Sequence, residues 1–105
     1  MTSKEADRST YAIWESQFPA EAASEGRRVT ECIWADMRGC AGYLGHELLQ
    51  DLDDPGHILV VSRWSSREQA DATLHDYADN PNAKAANRLV SQPRRRIVAR
   101  SLGQT

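Results

Sequence analysis

From residue 42 to residue 64 the chain alternates in two runs separated by Asp53-Asp54-Pro55-Gly56, and both runs are apolar on both faces. Proline fixes φ at one turn position and glycine tolerates positive φ, so this tetrapeptide predicts a chain reversal. Residues 42–52 and 57–64 then form the two strands of a hairpin. Leu44 and Leu48 face away from Tyr43 and Leu49, and Ile58 and Val60 face away from Leu59 and Val61. Helices of the same chain cover only one face of a single four-stranded sheet. The simplest cover for the other face is a second copy of the chain, so a homodimer is expected.

The flanking segments complete the sheet and supply its helices. Residues 10–18 alternate, with Ala12, Trp14, Ser16 and Phe18 on one side, and predict a first strand. Pro19 suits the first turn of a helix. Ala22, Gly26, Val29, Ile33 and Met37 recur at steps of three and four, with Thr30 and Trp34 at the edge of the stripe. Gly39 is placed to end that helix in a left-handed conformation. After the hairpin, Ser65 or Ser66 heads a capping box with Glu68 or Gln69, and Ala70, Leu74 and Tyr77 mark the buried side of a second helix. Asn80-Pro81 starts a third, short helix bearing Ala83, Ala86, Leu89 and Val90. Pro93 ends it, and residues 95–101 alternate as a last strand. The order strand, helix, strand, strand, helices, strand predicts an α+β fold: a ferredoxin-like split βαβ with a four-stranded antiparallel sheet. One domain is expected over residues 10–102, after a polar, frayed tail over residues 1–9.

Composition narrows the function classes. A chain of 105 residues has the size of one domain and leaves little room for a cofactor domain as well. A formal charge of −2 gives no reason to expect nucleic acid or an anionic membrane as partner. No apolar run approaches the roughly 18 residues of a spanning helix. Cys32 and Cys40 form neither a disulfide framework nor, with the histidines, a zinc spacing, so a cytoplasmic, metal-free protein is expected. Arg94-Arg95-Arg96 looks basic, but alternate members of a strand point opposite ways and cannot make a one-sided nucleic-acid surface.

Neither a nucleophile elbow nor a phosphate-cradling glycine loop is present. Candidate site residues are instead polar or aromatic groups on surfaces that periodicity makes buried. Asn87 falls on the stripe of Ala83, Ala86 and Val90, where its amide either satisfies a backbone carbonyl or reaches into a pocket. Trp64, Ser62, Trp14 and Ser16 mix small polar and aromatic groups on one sheet face, as a pocket wall does and as ordinary packing also does. His75 borders the stripe of Leu74 and Tyr77, and His46 shares a face with Leu48. Both are candidate general bases.

Three segments in this order resemble the antibiotic biosynthesis monooxygenase family: Gly42-Tyr43-Leu44-Gly45-His46-Glu47-Leu48-Leu49, the Asp53-Asp54-Pro55-Gly56 turn, and Trp64-Ser65-Ser66-Arg67-Glu68. The resemblance implies a ferredoxin-like fold dimerised through its sheets into an α/β barrel, with a pocket between sheet and helices. It implies monooxygenation of an aromatic polyketide, phenol or quinol by dioxygen with no metal, flavin or other cofactor, since a deprotonated electron-rich phenol can itself pass an electron to dioxygen. On that reading His75, Asn87 and Trp64 are catalytic, with His75 or His46 taking the proton and Asn87 orienting an oxygen. Trp14, Ser16, Trp34, His46, Ser62 and Tyr77 would bind the substrate. The family's haem-degrading branch holds iron with a helical histidine, and the matching position here is Asn87, a poor haem ligand, so that activity is disfavoured. A non-catalytic, dimeric ligand-binding or accessory domain remains the alternative.

Overall fold

The computed structural model describes residues 10–103, and the tail expected over residues 1–9 lies outside the described residues. The elements follow as β1 (Thr10–Gln17), a 3-10 turn (Ala20–Ala22), α1 (Ala23–Met37), β2 (Tyr43–Asp51), β3 (Asp54–Trp64), α2 (Arg67–Tyr77), α3 (Pro81–Leu89) and β4 (Arg95–Arg100). The strands make one antiparallel sheet in the order β2-β3-β1-β4. Two βαβ halves therefore interleave, and the fold is α+β and ferredoxin-like.

α1 presses Val29, Ile33, Trp34 and Met37 onto Ala12, Val60 and Trp64 of the sheet. Thr30 and Trp34, which periodicity put at the edge of the stripe, are buried. The Thr30 hydroxyl donates to the Gly26 carbonyl at 2.7 Å, so its burial strands no polar group. Gly26 has to lack a side chain, because a Cβ there would come within 2.5 Å of the Phe18 ring. At α2 the cap is Ser66, whose Oγ accepts from the Gln69 N–H at 3.1 Å. Ser65 instead donates its N–H to the Gly42 carbonyl. α3 starts as expected, with Asn80 Oδ1 accepting from the Asn82 N–H and Pro81 in the first turn.

Several local expectations need correcting. Pro19 precedes a short 3-10 turn, and α1 begins only at Ala23. Gly39 is not left-handed; a run of turns carries the chain on from α1, and the positive φ, 84°, falls at Gly42. The hairpin reverses at Leu52 and Asp53, and Asp54, Pro55 and Gly56 already belong to β3. The Asp51 side chain closes this tighter turn by accepting from the Asp53 N–H at 2.8 Å. A bulge at Tyr43–Gly45 pairs Tyr43 with Trp64 and leaves Leu44 out of the ladder, 45% exposed. Tyr43 consequently sits edge-on to Trp64 on the helical side, opposite to the face that strict alternation gives it. Leu74, expected on the buried side of α2, is 38% exposed.

The face of the sheet without helices carries Ile13, Leu49, Leu59, Val61 and Ile97, side by side in register. Its polar end holds His57, which bridges three strands. Its Nε2 lies 2.6 Å from Glu15 and its Nδ1 2.9 Å from Asp51. The ring can donate to both carboxylates only as an imidazolium, and these two partners raise its pKa.

Candidate functional site

Between the helical side of the sheet and the three helices lies a cavity of about 640 Å³, inside the range of roughly 300–1,000 Å³ usual for small-molecule sites. β1 contributes Trp14, α1 Trp34 and β3 Trp64, three indoles from three elements. The rest of the wall comes from α2 and α3, and from the α3–β4 connection and β4, which bring Asn87, Arg94 and Arg96.

Trp64 is almost completely buried. It is 2% exposed, its N–H donates to the Ser62 hydroxyl at 2.9 Å, and Ser62 in turn donates to the Ala12 carbonyl at 2.7 Å. Its polar atom is thus occupied, and it offers the cavity only ring surface. Trp34 is equally buried and rests on His46, with ring centroids 5.4 Å apart. Arg94 lies over the Trp14 ring, 4.7 Å from its centroid. Its Nε also donates to Asn87 Oδ1 at 2.9 Å.

Five of the nine residues singled out from sequence line this cavity together: Trp14, Trp34, Trp64, Tyr77 and Asn87. Ser16 and Ser62 are buried beside it without reaching it, and Ser62 is a core hydrogen bond between β3 and β1. Asn87 is exposed at the rim, not the buried amide that its place on the α3 stripe predicted. A nine-residue helix buries only the narrow strip of Ala83 and Ala86.

The two candidate bases are elsewhere. His75 is exposed on α2 and does not line the cavity. His46 stands behind Trp34, with its Nδ1 2.6 Å from the Tyr43 hydroxyl. Burial, with a smaller effect of Arg38, lowers its pKa. Tyr77 is held as a hydrogen-bond donor. Burial, reinforced by donation of its hydroxyl to Asp36 at 2.7 Å, raises its pKa to about 12. The described lining holds no aspartate, glutamate, histidine or cysteine; its ionisable groups are Tyr77, Arg94 and Arg96.

The two arginines are the residues that sequence reasoning missed. The signal was present: alternation puts Arg94 and Arg96 on one side and Arg95 on the other, and the register sets Arg96 opposite Trp14.

The model of the antibiotic biosynthesis monooxygenase family matches residues 10–89. The chain belongs to this family. Solved structures agree on the fold. A crystal structure of an antibiotic biosynthesis monooxygenase superposes with a TM-score of 0.79 at 17% identity, covering 90% of this chain and 99% of that one. A variant of SnoaB, a cofactor-independent oxygenase from Streptomyces nogalater, gives 0.76 at 18% identity, covering 94% and 97%. Rv0793 from Mycobacterium tuberculosis gives 0.75 at 18%, covering 91% and 97%. No curated protein matches the sequence. Within the family match lie the three tryptophans, Tyr77 and Asn87, while Arg94 and Arg96 lie beyond its end.

Proposed function

We propose that this protein is a cofactor-independent monooxygenase that oxidises an electron-rich phenol or quinol, of the kind found in aromatic polyketides, with dioxygen. The observation that carries this reading is the cavity itself: three indole walls around a space of small-molecule size, with cationic groups on one side only. Family membership and the resemblance to SnoaB support it. In the reaction an ionised phenol gives one electron to dioxygen, and the resulting radical and superoxide combine at a ring carbon. The peroxide takes back the proton released when the phenol ionised, and the hydroperoxide then loses water together with the hydrogen on that carbon, leaving a carbonyl. The protein has to bind the planar ring, hold it as the anion and keep bulk water out. Trp14, Trp34 and Trp64 serve the first and last of these tasks.

Asn87 acts in this scheme through Arg94, whose guanidinium its carbonyl oxygen holds in place. His75 and His46 have no part in it. With no imidazole at the cavity wall, a second reading also has support: a ligand-binding domain without turnover. Oxygen uptake separates the two. Protein freed of metal and flavin should consume dioxygen with a suitable quinol, and the rate should fall about tenfold or more in Trp64→Phe or Asn87→Ala. Ligand-induced thermal stabilisation with no uptake across a broad quinol panel would establish the second reading.

We further propose that the working unit is a homodimer, with the open sheet faces around Ile13, Leu59 and Val61 packed together, as their apolar character supports. The two unpaired cysteines, Cys32 and Cys40, suit a reducing, cytoplasmic setting.

A further inference from the structure

We propose that Arg94 and Arg96 form an oxyanion subsite in the cavity, so that the ligand is an aromatic anion held with its charged oxygen at the β4 wall. This rests on reading the cavity as the substrate site, and it names the class of substrate. Arg96 is largely buried, with a side chain 17% exposed. Its Nη2 donates to Asp71 Oδ1 at 2.9 Å, while its Nε is buried with no partner. A buried guanidinium N–H without an acceptor is rare in a folded protein and calls for a specific explanation. Asp71 is itself shared, since Arg67 reaches its other oxygen at 3.4 Å.

Arg94 is less compensated still. Its one hydrogen bond goes to the neutral oxygen of Asn87, and its face rests on Trp14. Among the described residues it has no carboxylate within ion-pair distance. Burial lowers its pKa, as expected of a half-buried cation without a counter-ion. The cavity therefore holds two guanidinium groups against one neighbouring, already shared carboxylate. Two planar, multi-donor cations beside an indole wall fit an oxygen anion conjugated to an aromatic ring. A carboxylate and an ionised phenol share that chemistry. If the anion is a phenolate, the arginines lower the ligand's own pKa and make the electron-rich species without a protein base.

Binding of non-oxidisable probes to the full chain tests the subsite apart from catalysis. Trp fluorescence quenching at neutral pH would compare 2-naphthoate with 2-naphthamide, and 4-nitrophenol with 4-nitroanisole. One charge-assisted contact predicts about a tenfold preference for the anion over its neutral counterpart. Arg94→Gln and Arg96→Gln should each remove most of that preference and leave amide binding unchanged. Arg96→Lys should retain part of it, and Arg95→Gln, on the other face, all of it. A preference for naphthoate assigns the subsite to a carboxylate; a preference for ionised nitrophenol alone, seen as a lowered pKa of the bound dye, assigns it to a phenolate. Equal affinity for anions and neutral counterparts in both pairs would overturn the subsite, even in a protein that consumes oxygen. An anion preference with no oxygen uptake would leave the subsite standing and remove the oxygenase reading instead.

Discussion

Ser62→Ala separates packing from ligand contact at the residue where the two readings diverge most. The Ser62 hydroxyl is completely buried, donates to the Ala12 carbonyl at 2.7 Å and accepts the Trp64 N–H at 2.9 Å. Removing it strands the indole N–H in a space closed to water, at a cost of about 1–3 kcal/mol. The Ala12 carbonyl loses one of its acceptor contacts as well, so about 2 kcal/mol in all is a fair central value. For a domain of this size that corresponds to a fall in Tm of roughly 8–16 °C. Chemical denaturation followed by Trp fluorescence measures it directly. Trp64→Phe made in the Ser62→Ala background removes the stranded donor, so the double variant should lose about 1 kcal/mol less than the sum of the singles. The affinity of folded Ser62→Ala for 2-naphthoate should match the wild type. A variant within about 0.5 kcal/mol of wild type that nonetheless binds the probe poorly would refute the assignment.

Two further outcomes follow from the open sheet face. Asp51 and, after it, Glu15 raise the His57 pKa, so the stability this bridge contributes is fully present below the unfolded value of about 6.5 and is lost as pH rises through the folded value. The stability gap between wild type and His57→Gln should therefore shrink as pH rises through the raised folded-state pKa; a gap that stays constant or widens would sink the argument. Val61→Asp places a charge amid Ile13, Leu59 and Ile97, and under the homodimer proposal sedimentation should show a dimeric wild type and a monomeric variant. A wild type that sediments as a monomer at the same concentration would remove the dimer proposal.

The layout of the sheet was legible because side-chain period and chain punctuation agreed. Alternation found all four strands, three-and-four spacing found α1, and Ser66 and Asn80 capped the helices they head. What stayed hidden arose where a local hydrogen bond shifted the period by one residue. The bulge at Tyr43–Gly45 turns Tyr43 toward Trp64 and sets Leu44 outside the ladder, and nothing in a period-two pattern marks it beyond a glycine at Gly45. The Asp51 side chain likewise closes the hairpin two residues early, leaving the more obvious Pro-Gly pair to start β3.

The candidate site was legible in its apolar half and hidden in its polar half, for a physical reason. Aromatic residues on a periodic face are buried almost wherever the helices fall, so strand phase alone puts Trp14 and Trp64 on one face, whereas Trp34, at the edge of its helical stripe, joins them only through the family resemblance. Where a polar side chain ends depends on which neighbour satisfies it, and that neighbour is set by tertiary register. His46 is drawn to Tyr43 by a bulge that sequence does not announce. Arg94 is drawn to Asn87 across seven residues that turn from helix to strand. The histidines drew attention because their ordinary pKa suits a base, yet the cavity has no need of one if two arginines hold the ligand in its ionised form. Its chemistry then turns on a charge that arrives with the ligand, so the residues that matter most are those that stabilise an anion and not those that accept a proton.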